Sequence, residues 1–229
     1  MYRIGKYKES DLMSDLICEN YPMLLVMSRF GISMGFGDRA IGDVCSKNGV
    51  DTATFLAVVN LLVNEDKDDK PSYESLSAAS LVEYLKNSHS YFLDFKLPAI
   101  RLKLVEALNG NDSDMAVLII RYYDEYVAEV RRHMAYEELT VFPYVESLLK
   151  GKPDKKYNIE IFSRKHDDIE CRLTELKNII IKYCPIRSSN ELNSVMFDIF
   201  SCANDLLSHT EVEDNLFVPL IRQIESKKI

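Results

Sequence analysis

The chain has 229 residues, 47% of them apolar, which is enough for one large domain or for a core domain with a smaller companion. A formal net charge of −8, with acidic residues spread along the chain, favours solubility and argues against a nucleic-acid footprint. No run of about eighteen uncharged apolar residues occurs, and the opening MYRIGKYKESDLMSDL lacks a secretory signal's apolar stretch and cleavage site, so a cytoplasmic protein without membrane attachment is expected.

Apolar residues recur at helical spacing with no convincing alternation of period two, which makes the class all-α. Short helices are expected from Asp11, from Pro22 to Phe30 before Gly31, from Ile41 to Asn48 before Gly49, and from Thr52 to Asn64. The charged stretch Asn64-Glu-Asp-Lys-Asp-Asp-Lys-Pro-Ser72 lacks apolar residues and contains a proline. It divides a small helical N-terminal domain, 1–63, from a larger one, 76–229, across a linker at 64–75. Four long helical segments follow, approximately 76–108, 113–150, 157–184 and 190–227, separated by Asn109-Gly-Asn-Asp, Gly151-Lys-Pro-Asp and Pro185-Ile-Arg-Ser-Ser. Such short connections favour antiparallel neighbours, hence an up-down-up-down four-helix bundle, with Pro98 bending its first helix.

The five cysteines (Cys18, Cys45, Cys171, Cys184, Cys202) are widely spaced and form no C-x-x-C pair, so they read as buried small hydrophobes and not as disulfides or a thiolate metal knuckle. The four histidines are more informative, because each falls in a different bundle helix. On the second helix Val130, His133, Glu137, Val141 and Tyr144 share one stripe, and on the fourth Leu206, His209, Glu213, Leu216 and Leu220 do the same. His89 continues the stripe Val82, Leu85, Phe92, Leu97, and His166 lies in line with Phe162, Ile169, Leu173 and Leu176.

Two ionised carboxylates buried without partners would cost several kcal/mol each, and these inward stripes carry no lysine or arginine. A metal ion supplies the missing charge, since imidazole and carboxylate are ligands that Fe, Mn or Zn accept. The pattern H…H-x-x-x-E occurs twice, with 44 residues from His89 to His133 and 43 from His166 to His209. Each H-x-x-x-E also reaches a proline six residues past the glutamate, Pro143 and Pro219, so similar turns should follow both ligand pairs. Six ligands shared between two metals, with both glutamates bridging, give two histidines per ion and leave room for an oxo or hydroxo bridge and an exchangeable site. Spacing alone does not separate iron from zinc or manganese.

The segments HSYFLDFKLP, HMAYEELTVFP, RKHDDIE and LLSHTEVEDNLFVP resemble the hemerythrin-like HHE cation-binding domains, and more closely the di-iron proteins called Repair of Iron Centres. That resemblance, over about residues 80–225, implies two iron ions, His89 and His133 on one, His166 and His209 on the other, with Glu137 and Glu213 as bridges. Oxygen-carrying hemerythrins place a fifth histidine where this chain has Glu170, a departure that argues against a reversible oxygen carrier. The stretch YPMLLVMSRFGISMGFGDRAIGDVCSKNGVD resembles the N-terminal domain of Repair of Iron Centres proteins. Where that family commonly carries adjacent cysteines this chain reads Gly31-Ile-Ser-Met-Gly-Phe-Gly37, which removes the basis for thiol-mediated iron handling.

The resemblance implies a stress-response protein that reacts with O2, NO or peroxide, or delivers iron to damaged iron–sulfur proteins; a homodimer is compatible with it. A different class is a sensor that signals through the N-terminal domain, and a third is catalytic reduction of NO or peroxide. Read as a helix-turn-helix, Ile41 to Val63 would gain no electrostatic help with DNA, since residues 1–63 hold six Lys/Arg against seven Asp/Glu.

Overall fold

Glycine and short polar side chains punctuate the N-terminal third of the computed structural model, which describes residues 5–63, 72–108, 114–152, 156–163, 169–184 and 190–228, the backbone alone at 169–171 and 228. Helices α1 (Met13–Glu19), α2 (Met23–Arg29), α3 (Ile41–Lys47) and α4 (Thr52–Val63) come first. Gly31 and Gly49 take φ of +72° and +68°, which only glycine adopts without strain, and Ile32 N–H and Val50 N–H then reach back to the carbonyls of Met27 and Cys45 at 3.0 and 2.9 Å. Asp51 caps α4 by accepting the Thr54 N–H at 2.8 Å.

The expected linker falls largely on 64–71, outside the described residues. After it come α5 (Ala78–Ser90), α6 (Leu97–Leu108), α7 (Asp114–Tyr136), α8 (Phe142–Leu149), α9 (Ile159–Ser163), α10 (Ile169–Tyr183), α11 (Asn190–Val212) and α12 (Val218–Lys228). No β-strand occurs among the described residues, and the chain is all-α, as a hemerythrin-like bundle with a helical N-terminal region requires. The segment read as one helix over 157–184 is helical as α9 and α10, with 164–168 outside the described residues.

Three of the junctions are not simple breaks. π-Helical turns span Tyr91–Lys96, Glu137–Val141 and Glu213–Phe217, and each ends two residues before a proline, Pro98, Pro143 or Pro219. A proline inside a helix has no N–H for the carbonyl four residues back and its ring collides with that carbonyl. Inserting one extra residue into the preceding turn relieves both problems while the helix continues. At Pro219 the carbonyl four residues back belongs to Asn215, and the Tyr73 hydroxyl donates to it at 3.1 Å.

The described chain sorts into two compact units that interleave along the sequence. One comprises Met1–Ser88, Phe142–Arg164 and Thr210–Ile229. Within it Phe30 packs on Phe55 and Tyr84 with ring centroids 5.4 and 4.9 Å apart, Asn87 donates to the Arg29 carbonyl at 2.8 Å, and Ser77 N–H donates to Thr54 Oγ1 at 2.8 Å. The end of α2 and the start of α4 are therefore tied to α5. Glu225 of α12 lies buried in the same unit, accepting the Tyr144 hydroxyl and, at 2.8 Å, the Ile159 N–H.

The other unit comprises His89–Val141 and Lys165–His209. Its core joins Phe92, Ile100, Leu104, Tyr123, Tyr126, Val130, Leu176, Val195 and Ile199 from α6, α7, α10, α11 and the first π turn. Burying side chains of this size contributes about 1.5–3 kcal/mol each. Two polar contacts hold the first π turn and its proline. The Tyr123 hydroxyl donates to the Leu97 carbonyl at 2.8 Å, and Asp198 of α11 receives Lys96, the last residue of the turn, at 2.7 Å and Lys103 at 2.6 Å.

Burial alone would raise the Asp198 pKa, but hydrogen bonds from Lys103 and Lys96 outweigh it and hold the carboxyl below its usual value. Since the folded value is the lower one, this stabilisation is present above the unfolded pKa of about 3.9 and is lost as pH falls through the folded value. Asp198→Asn should lower unfolding stability by about 1 kcal/mol in urea titrations at neutral pH, and the gap from the parent should close as the titrations are repeated at increasingly acidic pH.

Candidate metal centre

The three π turns lie directly against the histidine and glutamate positions picked out in the sequence. His89 occupies the last turn of α5, just before the turn at Tyr91. His133 lies in the last turn of α7 and Glu137 opens the next π turn, while His209 lies in the last turn of α11 and Glu213 opens the third. A four-residue step puts each His–Glu pair on one face of its helix. The flanking residues of those stripes, Val82, Leu85, Phe92, Leu97, Val130, Val141, Tyr144, Leu206, Leu216 and Leu220, are all buried.

Four side chains converge. His89, Glu137, His209 and Glu213 each offer a ligand atom, these atoms lie within 4.8 Å of one another, and all four residues are buried, Glu137 completely. His133 joins them at the edge, with 11% of its side chain exposed and Nε2 2.6 Å from Glu137 Oε1. His89 Nε2 is 2.8 Å from the other oxygen, Glu137 Oε2. The rings of His89 and His209 are 5.2 Å apart, and Phe92 stands edge-on to His209 at 5.9 Å, an apolar wall on that side. The fourth histidine, His166, lies outside the described residues, as does the side chain of Glu170.

The contacts of Glu137 carry chemical information. Both oxygens sit at hydrogen-bond distance from an imidazole Nε2, yet neither receives a hydrogen bond of acceptable alignment. On the far side of its ring, His89 Nδ1 lies 3.0 Å from Glu138 Oε1. A carboxylate accepts, so in a neutral His89 ring Nδ1 carries the proton and Nε2 presents a lone pair. A lone pair facing a carboxylate oxygen at 2.8 Å is repulsive unless a positive charge lies between them. The donor set, nitrogen and oxygen with no thiolate, fits a cation of the Fe, Mn or Zn class.

The sequence model described as Hemerythrin HHE cation binding domain matches residues 80–221. The chain belongs to the hemerythrin HHE family. No curated protein matches the chain. For a hemerythrin-type chain the buried His–Glu cluster is where a metal would be held, and His89, His133, Glu137, His209 and Glu213 are its described candidates.

Two features escaped the spacing argument. Glu138 follows a ligand candidate at a helical step that ought to point elsewhere, and its only sequence signal is the doublet Glu137-Glu138. The other is Phe92, read as a core residue but placed against a ligand ring. Among the described residues no cysteine belongs to the cluster. Cys45 and Cys202 are buried, burial pushes the Cys45 thiol up to about 11, and Cys18, expected inside, is exposed.

Replacing Glu137 by glutamine removes a buried charge. In metal-free protein the variant should be more stable than the parent by about 1–3 kcal/mol in denaturant titrations with chelator present. The ordering should invert on adding Fe(II) or Zn(II), which stabilise the parent by about 2.7 kcal/mol at a hundredfold excess over Kd and leave the variant unchanged.

Proposed function

We propose that this protein is a non-haem di-iron protein of the nitrosative and oxidative stress response, acting in repair of iron–sulfur clusters or in reaction with NO or O2, in the manner of Repair of Iron Centres proteins. The observation that carries this reading is Glu137, completely buried, with a different histidine nitrogen 2.8 and 2.6 Å from each of its oxygens. A carboxylate so placed is suited to bridging two ions. Bound iron supplies Lewis acidity and a change of oxidation state at an exchangeable position.

The chain's own residues have separate tasks in this scheme. His89, grouped with His209, would serve one ion, and His133, at the other oxygen of Glu137, would serve the second, where His166 is also expected. Glu137 and Glu213 would supply the carboxylate oxygens that hold the ions and offset their charge. Phe92 keeps water from the His209 ring. No Ser, Cys or Lys nucleophile is called for.

A sensor role has one specific observation in its favour. Asn87, two residues before His89, donates to the Arg29 carbonyl at the end of α2, so the N-terminal helices are hydrogen-bonded to the helix that carries a ligand candidate. Metal-dependent hydrogen exchange in α2 and α4 would support that reading, and unchanged exchange on iron loading or oxidation would refute it.

For the leading reading, anaerobically loaded protein should hold two irons per chain and restore activity to a hydro-lyase whose cluster has been damaged by NO or peroxide. The double variant Glu137→Ala/Glu213→Ala should bind less than a tenth as much iron and give no recovery. Equal recovery with parent and variant would overturn the repair role.

A further inference from the structure

Glu138 lies beside the metal-site candidates without belonging to them, and we propose that it is a positioning residue, one that fixes the tautomer of His89 so that Nε2 is free of a proton and turned toward Glu137. The proposal rests on the metal-site reading only for its purpose, since the geometry stands without it. Glu138 Oε1 is 3.0 Å from His89 Nδ1, and Glu137 Oε2 is 2.8 Å from Nε2 of the same ring. Consecutive residues thus grip opposite edges of one imidazole. Neighbours in a straight α-helix project about 100° apart, and here both residues open the π turn Glu137–Val141.

The difference in exposure separates their tasks. Glu137 is completely buried, whereas the Glu138 side chain is 39% exposed and bonded to the face of the ring that points away from the cluster. A ligand to the same ion would have to reach around the ring, so Glu138 acts through His89. A neutral imidazole has one N–H, and without a fixed partner at Nδ1 the proton can move to Nε2 and be donated to Glu137. That closed His–Glu pair would satisfy both groups and compete with any cation. By accepting from Nδ1, Glu138 excludes it and raises the basicity of Nε2 as well.

The test uses the full chain labelled with 15N, in mildly alkaline buffer, for the parent, Glu138→Gln and Glu138→Ala. Long-range 1H–15N correlation reads the tautomer of each imidazole, and only four histidines need assignment. The parent and Glu138→Gln, whose amide oxygen still accepts, should show His89 protonated at Nδ1. Glu138→Ala should move the proton wholly or partly to Nε2. Zn(II) titration should show affinity falling about 10–100-fold in Glu138→Ala, with most of the loss recovered in Glu138→Gln. Circular dichroism should show equal helicity for all three, since the substituted side chain is half-exposed.

An Nε2–H tautomer in the parent, or an alanine variant with the parent's tautomer, would overturn the positioning role. So would unchanged Zn(II) affinity in a variant whose tautomer has moved. If the parent binds no metal while Glu138→Ala still moves the proton, the positioning role stands and the metal-site reading falls.

Discussion

A carboxylate sealed from water has to meet positive charge, and in this protein Glu137 and Glu213 are both sealed. The residues around Glu137 are imidazoles, and a neutral imidazole held by Glu138 at its far nitrogen brings a lone pair and no charge. Helices α5, α7 and α11 bring these groups to one place, and the apolar stripes on either side of each histidine fix how the helices face inward. A metal ion reconciles the arrangement with marginal stability, because it compensates both carboxylates at once and gives the converging lone pairs a common target.

The backbone at the site follows from a second constraint, set by proline. Pro98, Pro143 and Pro219 would each break a straight helix, and each is accommodated by a π turn ending two residues earlier. Glu137 and Glu213 both open such a turn, so the two His–Glu pairs share one local geometry. The widened turn also lets Glu137 and Glu138 reach the two edges of His89. Tyr73 on the Asn215 carbonyl and Asp198 on Lys96 show neighbouring segments bonding to these distorted turns.

Much of this was legible in the sequence, and the limits are physical. Helix ends at Gly31 and Gly49 could be read because a positive φ is a local demand that only glycine meets cheaply. The inward stripes were legible because burial follows the 3.6-residue period, and the prolines after Glu137 and Glu213 pointed to matching turns. That those turns are π-helical was not readable, since a period rule assumes the geometry that the proline alters. Glu138 was missed for the same reason, as a straight helix would send it away from His89. The joining of α2 and α4 to α5 depends on contacts such as Phe30 with Tyr84, far apart in the chain and with no local signature. The exposure of Cys18 likewise reflects tertiary context and not the residue's own preference.

The central claim is that cations lie between the carboxylates and the imidazoles. Its most direct measurement is a crystal structure of anaerobically iron-loaded protein, with anomalous difference maps collected on either side of the iron absorption edge. The account predicts two peaks, each touching a histidine nitrogen and both flanked by Glu137 and Glu213, with Nδ1 of His89 still bonded to Glu138. Maps without a peak there, in protein where an N–H of His89 or His133 donates directly to Glu137, would contradict it.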